Sequence, residues 1–240
     1  MNRVLRARDW SMFEAPRPLL RYILLIDLLA LVWCIGEVAA SRASAREFGI
    51  LLLLLGLALV FEEAARRAAR LQLRLSSELK RDMTSVWGVA AAVALAPGYG
   101  VVLLISVLTY VWFRQHRPAG EALYRKVFNA AVTVLGFLGA AEILRVEGRL
   151  WAHGSWLLSG TVSVLVAIVG YTLLNRFLVT PALLLMGVRG RALIGSYDDN
   201  LIELATLCLG GLVALAALYQ PWLAILVIAP MYTLQRGALV

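Results

Sequence analysis

Eight apolar stretches, 19–40, 48–61, 86–96, 99–113, 127–144, 157–174, 201–219 and 222–234, alternate with short charged ones along the chain. Within each stretch the hydrophobicity is continuous, not alternating. A backbone in lipid must satisfy its own hydrogen bonds, so only helices or a closed barrel span a membrane, and a barrel would show alternation. A helix needs about 20 residues to cross about 30 Å of hydrocarbon, so some stretches span alone and others only with their flanks. The pattern predicts an all-α, polytopic transmembrane bundle of roughly six to eight helices, folded as one integral membrane domain over residues 1–240.

Composition agrees. Hydrophobic residues make up 61% of the chain and its mean hydropathy is +0.80, against roughly 45–50% apolar residues in a soluble domain. The net charge of +8 would suggest nucleic acid in a soluble protein. Here the placement of the charges matters more than their sum, and no nucleic-acid partner is expected. The first twenty residues are too polar and too long for the n-region of a secretory leader, so stretch 19–40 reads as a retained anchor.

Putting the N-terminus, residues 62–83, 114–126 and 175–198, and the C-terminus on one side collects 19 of the 23 basic residues there. Arg42, Arg46, Arg145 and Arg149 remain for the other side. By the positive-inside rule both termini are expected in the cytoplasm, the membrane being the inner, cytoplasmic one. The partition requires stretch 86–113 to enter and leave on one face, with Pro97-Gly98 making the turn. Gln220-Pro221 is expected to do the same between the last two stretches.

The two Pro-centred hairpins suggest an internal parallel repeat, 19–114 and 123–236, related by an axis along the membrane normal. Glu37 and Glu142 occupy corresponding places in it, as do Glu62 and Asn175. Residues 62–82, with Arg66, Arg67, Arg70 and Arg74 at helical spacing, read as a helix on the anionic leaflet, an extension of the second span, or a solvated connector. Residues 179–195, with Pro181, Gly187, Gly190 and Gly195, read as a looser interfacial stretch.

Polar groups inside the membrane are costly unless partnered, and are therefore functional candidates. Asp27 lies about one and a half turns inside the first span. It has three readings: a partner for Arg21, a hydrogen-bonding residue in a ligand cavity, or a titrating site. Glu37 and Glu142 sit near the outer boundary, where hydration or pairing with Arg42 and Arg145 accounts for them. Glu62 closes the second span. Asn129 and Asn175 are expected to face the bundle interior at one depth, hydrogen-bonded to each other or to backbone freed around Pro181. Gly136 with Ala140, and Gly36 with Ala40, form small-xxx-small faces that permit close helix contact. Cys34 and Cys208 read as small buried apolar side chains. His116 and His153 have no second ligand nearby, so no metal site, no cofactor and no catalytic residue is expected. No GxSxG, Walker loop or HExxH motif occurs.

Residues 114–144, RQHRPAGEALYRKVFNAAVTVLGFLGAAEIL, resemble a (Y/F)-R-x-x-F-N-x-A segment in the N-terminal membrane regions of actinobacterial GGDEF-type diguanylate cyclases and related HD-domain proteins. The turn VALAPGYG resembles their LLPP turn, with Gly98 in place of the second proline, and YTLLNRFLVTPALLLM is similar to a further run of theirs. By that resemblance Asn129 and Asn175 match two motif asparagines, and the chain is a membrane input module for cyclic-di-GMP-type signalling. Its expected partners are the bilayer and a cytoplasmic GGDEF-type or other output domain or protein, with self-association left open. No GGDEF or HD motif lies within these residues, and the tripeptide EAL at 121–123 stands in a short segment between two apolar stretches, not in a phosphodiesterase domain. A small-molecule or ion transporter is the rival reading, for which parallel repeats, broken hairpins and Asp27 would be suitable parts.

Overall fold

The computed structural model describes residues 16–42, 44–72, 84–116, 123–150, 156–193, 196–220 and 223. Seven α-helices occur among them: α1 (Arg17–Ala40), α2 (Ala45–Gln72), α3 (Thr84–Ala94), α4 (Pro97–Val111), α5 (Leu123–Leu150), α6 (Trp156–Leu185) and α7 (Tyr197–Tyr219). A π-helical turn, Trp112–His116, continues α4, and a 3₁₀ turn, Gly190–Leu193, precedes α7. Five helical stretches, one each from α1, α4 with its π turn, α5, α6 and α7, are long and apolar enough to cross a membrane. The chain is a multi-pass membrane protein whose natural surroundings are a lipid bilayer.

Local chemistry explains where these helices begin and end. Pro97 is the first residue of α4, a position whose N–H has no helical partner, so proline loses nothing there and its ring presets the helical φ. α6 stops at Gly187, which has a φ of +85°. The Val188 N–H donates to the Leu183 carbonyl and the Gly187 N–H to the Leu184 carbonyl, both at 3.0 Å, forming a Schellman cap. One expectation changes here and another is narrowed. Residues 179–185 are helical, since α6 runs on through Pro181. α2 continues unbroken past Arg66, Arg67 and Arg70 to Gln72, so of the three readings of this portion the helix follows the one that extends the second apolar stretch.

The centre of the bundle is α3, only 11 residues long. At roughly 1.5 Å per residue it is too short to cross hydrocarbon alone. It can be short because protein surrounds it: α4, α5, α6 and α7 all pack on it, and Val86, Trp87, Val89, Ala90 and Ala91 are at most 1% exposed. Phe61 of α2 meets Trp87 with ring centroids 6.2 Å apart. A second apolar cluster joins Ile23, Ile26 and Ala30 of α1 to Phe128, Val132 and Leu135 of α5 and Ala182 of α6.

α3 and α4 form the expected hairpin. Thr84, at the start of α3, and Trp112, just past α4, line one groove, while the turn lies at the other end of the bundle. There a Cβ on Gly98 would stand 2.7 Å from the Glu37 carbonyl oxygen, so only glycine allows the turn to reach the end of α1. The Tyr99 hydroxyl accepts from the Ser44 N–H (3.0 Å) and lies 3.3 Å from the Arg42 carbonyl, fastening the turn to the α1–α2 loop.

With successive helices running in opposite directions, Arg17, Arg21, Arg114, Arg125, Lys126, Arg176 and Arg189 come to one end of the bundle. Arg42, Arg46 and Arg145 come to the other. Under the repeat, the counterpart of α4 is stretch 222–234, which apart from Leu223 lies outside the described residues.

Candidate functional site

A groove of about 320 Å³ opens on the flank of the bundle at its basic end, within the size range of small-molecule sites. It lies between the start of α3, the end of α4 with its π turn, and the start of α5. Its walls are largely apolar: Leu108, Val111, Trp112, Phe113, Leu123 and Val127. Into it come Thr84, Thr109, Lys126, Asn129 and Thr133. On α5 the spacing 126, 129, 133 places a cation, an amide and a hydroxyl along one helical face. The π turn at the groove's rim widens the backbone locally, a distortion frequent at functional positions. That helical spacing was available in the sequence as a signal, although only Asn129 stands out from sequence reasoning alone.

Asn129 is exposed and Asn175 half-buried, and no hydrogen bond joins them. The expected interior polar link between the halves is therefore not formed. Asn129 follows Phe128, which occupies the interior face, and one residue of helix turns the side chain by about 100° to the groove. The polar contact near Pro181 comes from another residue: the Tyr22 hydroxyl donates to the Leu178 carbonyl at 2.7 Å.

Asp27 has no ion pair with Arg21. Its Oδ1 is buried and has no hydrogen-bond partner. Of its three sequence readings, pairing with Arg21 is the one the geometry removes. Glu37 and Glu142, by contrast, are brought together by a single cation. The Arg145 guanidinium lies 2.8 Å from Glu142 Oε1 and 3.5 Å from Glu37 Oε2, and the Trp33 indole N–H donates to Glu37 Oε1 at 3.3 Å. Arg42 takes no part in this cluster.

Glu62 is buried at the end of the second span. Its neighbour Glu63 accepts from the Tyr110 hydroxyl at 2.9 Å and lies 3.6 Å from Arg114, tying α2 to the end of α4. Arg176 hydrogen-bonds Asn200 and lies 4.0 Å from Glu203, joining α6 to α7. Sequence reasoning singled out neither of these pairings, because each depends on which helices become neighbours. Cys34 is buried as expected, whereas Cys208 is exposed on the outer face of α7. The Trp87 indole N–H is buried with no hydrogen-bond partner; we have no physical account of it.

Compared with known protein families, characterised proteins and solved structures, the chain shows no match.

Proposed function

We propose that this chain is a membrane-embedded signal-input domain that takes up an amphiphilic signal from the bilayer and passes it to a cytoplasmic output domain or partner protein. By the sequence resemblance, that output belongs to cyclic-di-GMP-type signalling. The observation that carries the reading is the groove: apolar walls with a cation, an amide and hydroxyls, open on the flank of a bundle whose centre is filled by α3. A flank opening suits a ligand that arrives through the lipid and biases the packing of α3, α4 and α5.

To test this, the C-terminus is fused to a diguanylate-cyclase domain and cyclic-di-GMP is measured. Filling the groove with Thr133→Trp should change output severalfold, and Gly56→Ala, in open space on α2, should not. Unchanged output from the groove-filled protein, with the fused domain active, would end the sensing reading.

The proposed location is the cytoplasmic membrane with both termini inside, because the basic residues gather at one bundle end. In intact cells, with Cys34 and Cys208 replaced, an impermeant maleimide should label Ser41→Cys and leave Gly187→Cys untouched. The opposite labelling would invert the topology.

Asp27 favours a second reading, transport, because an unpartnered carboxylate oxygen within a span suits a coupling site. Saturable uptake into proteoliposomes that disappears in Asp27→Asn would establish it over sensing.

A further inference from the structure

Asn129 is an exposed amide on a span, and among the described residues no protein group hydrogen-bonds it. Hydrocarbon offers it nothing, and an amide left without a hydrogen bond there costs several kcal/mol. It stands in an ordered series along α5. Lys126 lies at the basic end, Asn129 roughly 4.5 Å deeper and Thr133 roughly 10 Å deeper, at 1.5 Å per residue. Leu108 and Val127 supply hydrocarbon surface beside this series. A glycerophospholipid presents the same order of chemistry from the membrane surface inward: a phosphate anion, two ester carbonyls that accept hydrogen bonds, then acyl chains.

We propose that the groove holds one anionic phospholipid of the basic-side leaflet. Its phosphate lies on the Lys126 ammonium, its ester carbonyls accept from Asn129 and Thr133, and one acyl chain runs along Leu108 and Val127. Charge complementarity selects the occupant. Arg125 is exposed beside Lys126, and the basic end of the bundle attracts anionic headgroups over neutral ones. The Asn129 amide and the threonine hydroxyls are donors, matching a ligand whose buried part carries only acceptors.

The proposal names the ligand class for the sensing reading, on which its purpose rests, but binding can be measured without any output. The protein is placed in phosphatidylcholine nanodiscs with either brominated phosphatidylglycerol or brominated phosphatidylcholine. Quenching of Trp112, at the groove wall, is taken as the difference from Trp112→Phe. Brominated phosphatidylglycerol should quench at about fivefold lower mole fraction, equivalent to about 1 kcal/mol for one cation at the surface. Lys126→Gln should cut the ratio to below about twofold, the remainder being the general pull of the basic end, Lys126→Arg should restore it, and Asn129→Leu should weaken both lipids alike.

Equal quenching by the two lipids in the unaltered protein would make the groove a site for ordinary boundary lipid and overturn the proposal. So would a preference that Lys126→Gln leaves undiminished, or a Trp112 protected from both lipids, as a second copy covering the groove would produce. A selective groove whose filling leaves the fused cyclase unchanged would end the sensing reading and leave the lipid site standing.

Discussion

In the second half of the chain, Gly139 and Gly170 let α5 and α6 close on one another. A Cβ at Gly139 would run into Leu174, and one at Gly170 would lie 2.9 Å from Ile143. In the first half, Gly36 of α1 and Gly49 and Gly56 of α2 face open space, with nothing within 4 Å of the Cβ each lacks. The α5–α6 pair packs along its length, whereas α1 and α2 hardly touch and α4 packs against both. Both halves carry small-xxx-small faces, yet only Gly136 with Ala140 meets a partner, Tyr171 lying 3.3 Å from the Cβ that Gly136 lacks. A small residue permits close approach; a neighbouring side chain shaped to use the space produces it. α1 is consequently held by α4, α5 and α6 and not by α2, with the Ile23–Ile26–Ala30 face, the Tyr22 hydroxyl and the Glu37–Arg145 pair making its attachment to α5 and α6.

The contrast can be broken most strongly at Gly139. Gly139→Leu should lower stability by about 3 kcal/mol, the upper end for forcing methylenes into a packed contact, whereas Gly56→Leu should be close to neutral. Thermal unfolding in detergent micelles would compare them, and equal losses would dissolve the distinction between the two helix pairs.

A smaller effect is expected where α1 meets α6. Tyr22→Phe removes one interhelical hydrogen bond and should cost about 0.6 kcal/mol, and that loss should be the same in a Leu178→Met background, since a carbonyl is the acceptor and the Leu178 side chain only packs beside it. A Tyr22→Phe loss that vanishes in the Leu178→Met background would mean that packing, not the hydroxyl, holds α1 there.

Weaker still is the Arg145 contact. Arg145 is 44% exposed, so screening reduces its pairs to roughly 0.5 kcal/mol. A double-mutant cycle with Glu37→Gln and Arg145→Gln should give a coupling of that order, falling with added salt. Zero coupling at low salt would leave the Tyr22 bond and apolar packing as α1's attachments.

The smallest change has the opposite sign. Gly56→Ala should raise stability by about 0.5 kcal/mol, because glycine in a helix interior carries an entropic cost and here no neighbour needs the space. A loss instead would show that α2 has a close contact at Gly56.

Much of the architecture was legible in the chain because solvent selects it. Continuous apolar stretches in lipid must become helices, and the basic residues, crowded into alternate loops, require 84–116 to return to the end it starts from. Pro97, with Gly98 after it, marks the turn because proline suits a helix start and only glycine fits against α1. Gly187 stops α6 by adopting a positive φ. These are local properties of one or two residues, and sequence states them directly.

Which helix lies beside which was decided only in three dimensions. Hydrophobicity all round a membrane helix marks no preferred face, since lipid and protein neighbours are alike apolar. Nothing in TSVWGVAAAVA says that α3 becomes the centre, and nothing in the two small-xxx-small faces says that one meets Tyr171 and the other open space. The polar residues show the same division. Sequence identified Asp27, Glu37, Glu62, Asn129, Glu142 and Asn175 as costly in a membrane, but neighbours set how each is accommodated. One arginine serves both Glu37 and Glu142, Asp27 is left with a buried oxygen, and Asn129 turns from the interior to a groove that α3, α4 and α5 make only together. A side chain's cost in lipid is its own property, whereas its partner depends on the packing of helices far apart in the chain.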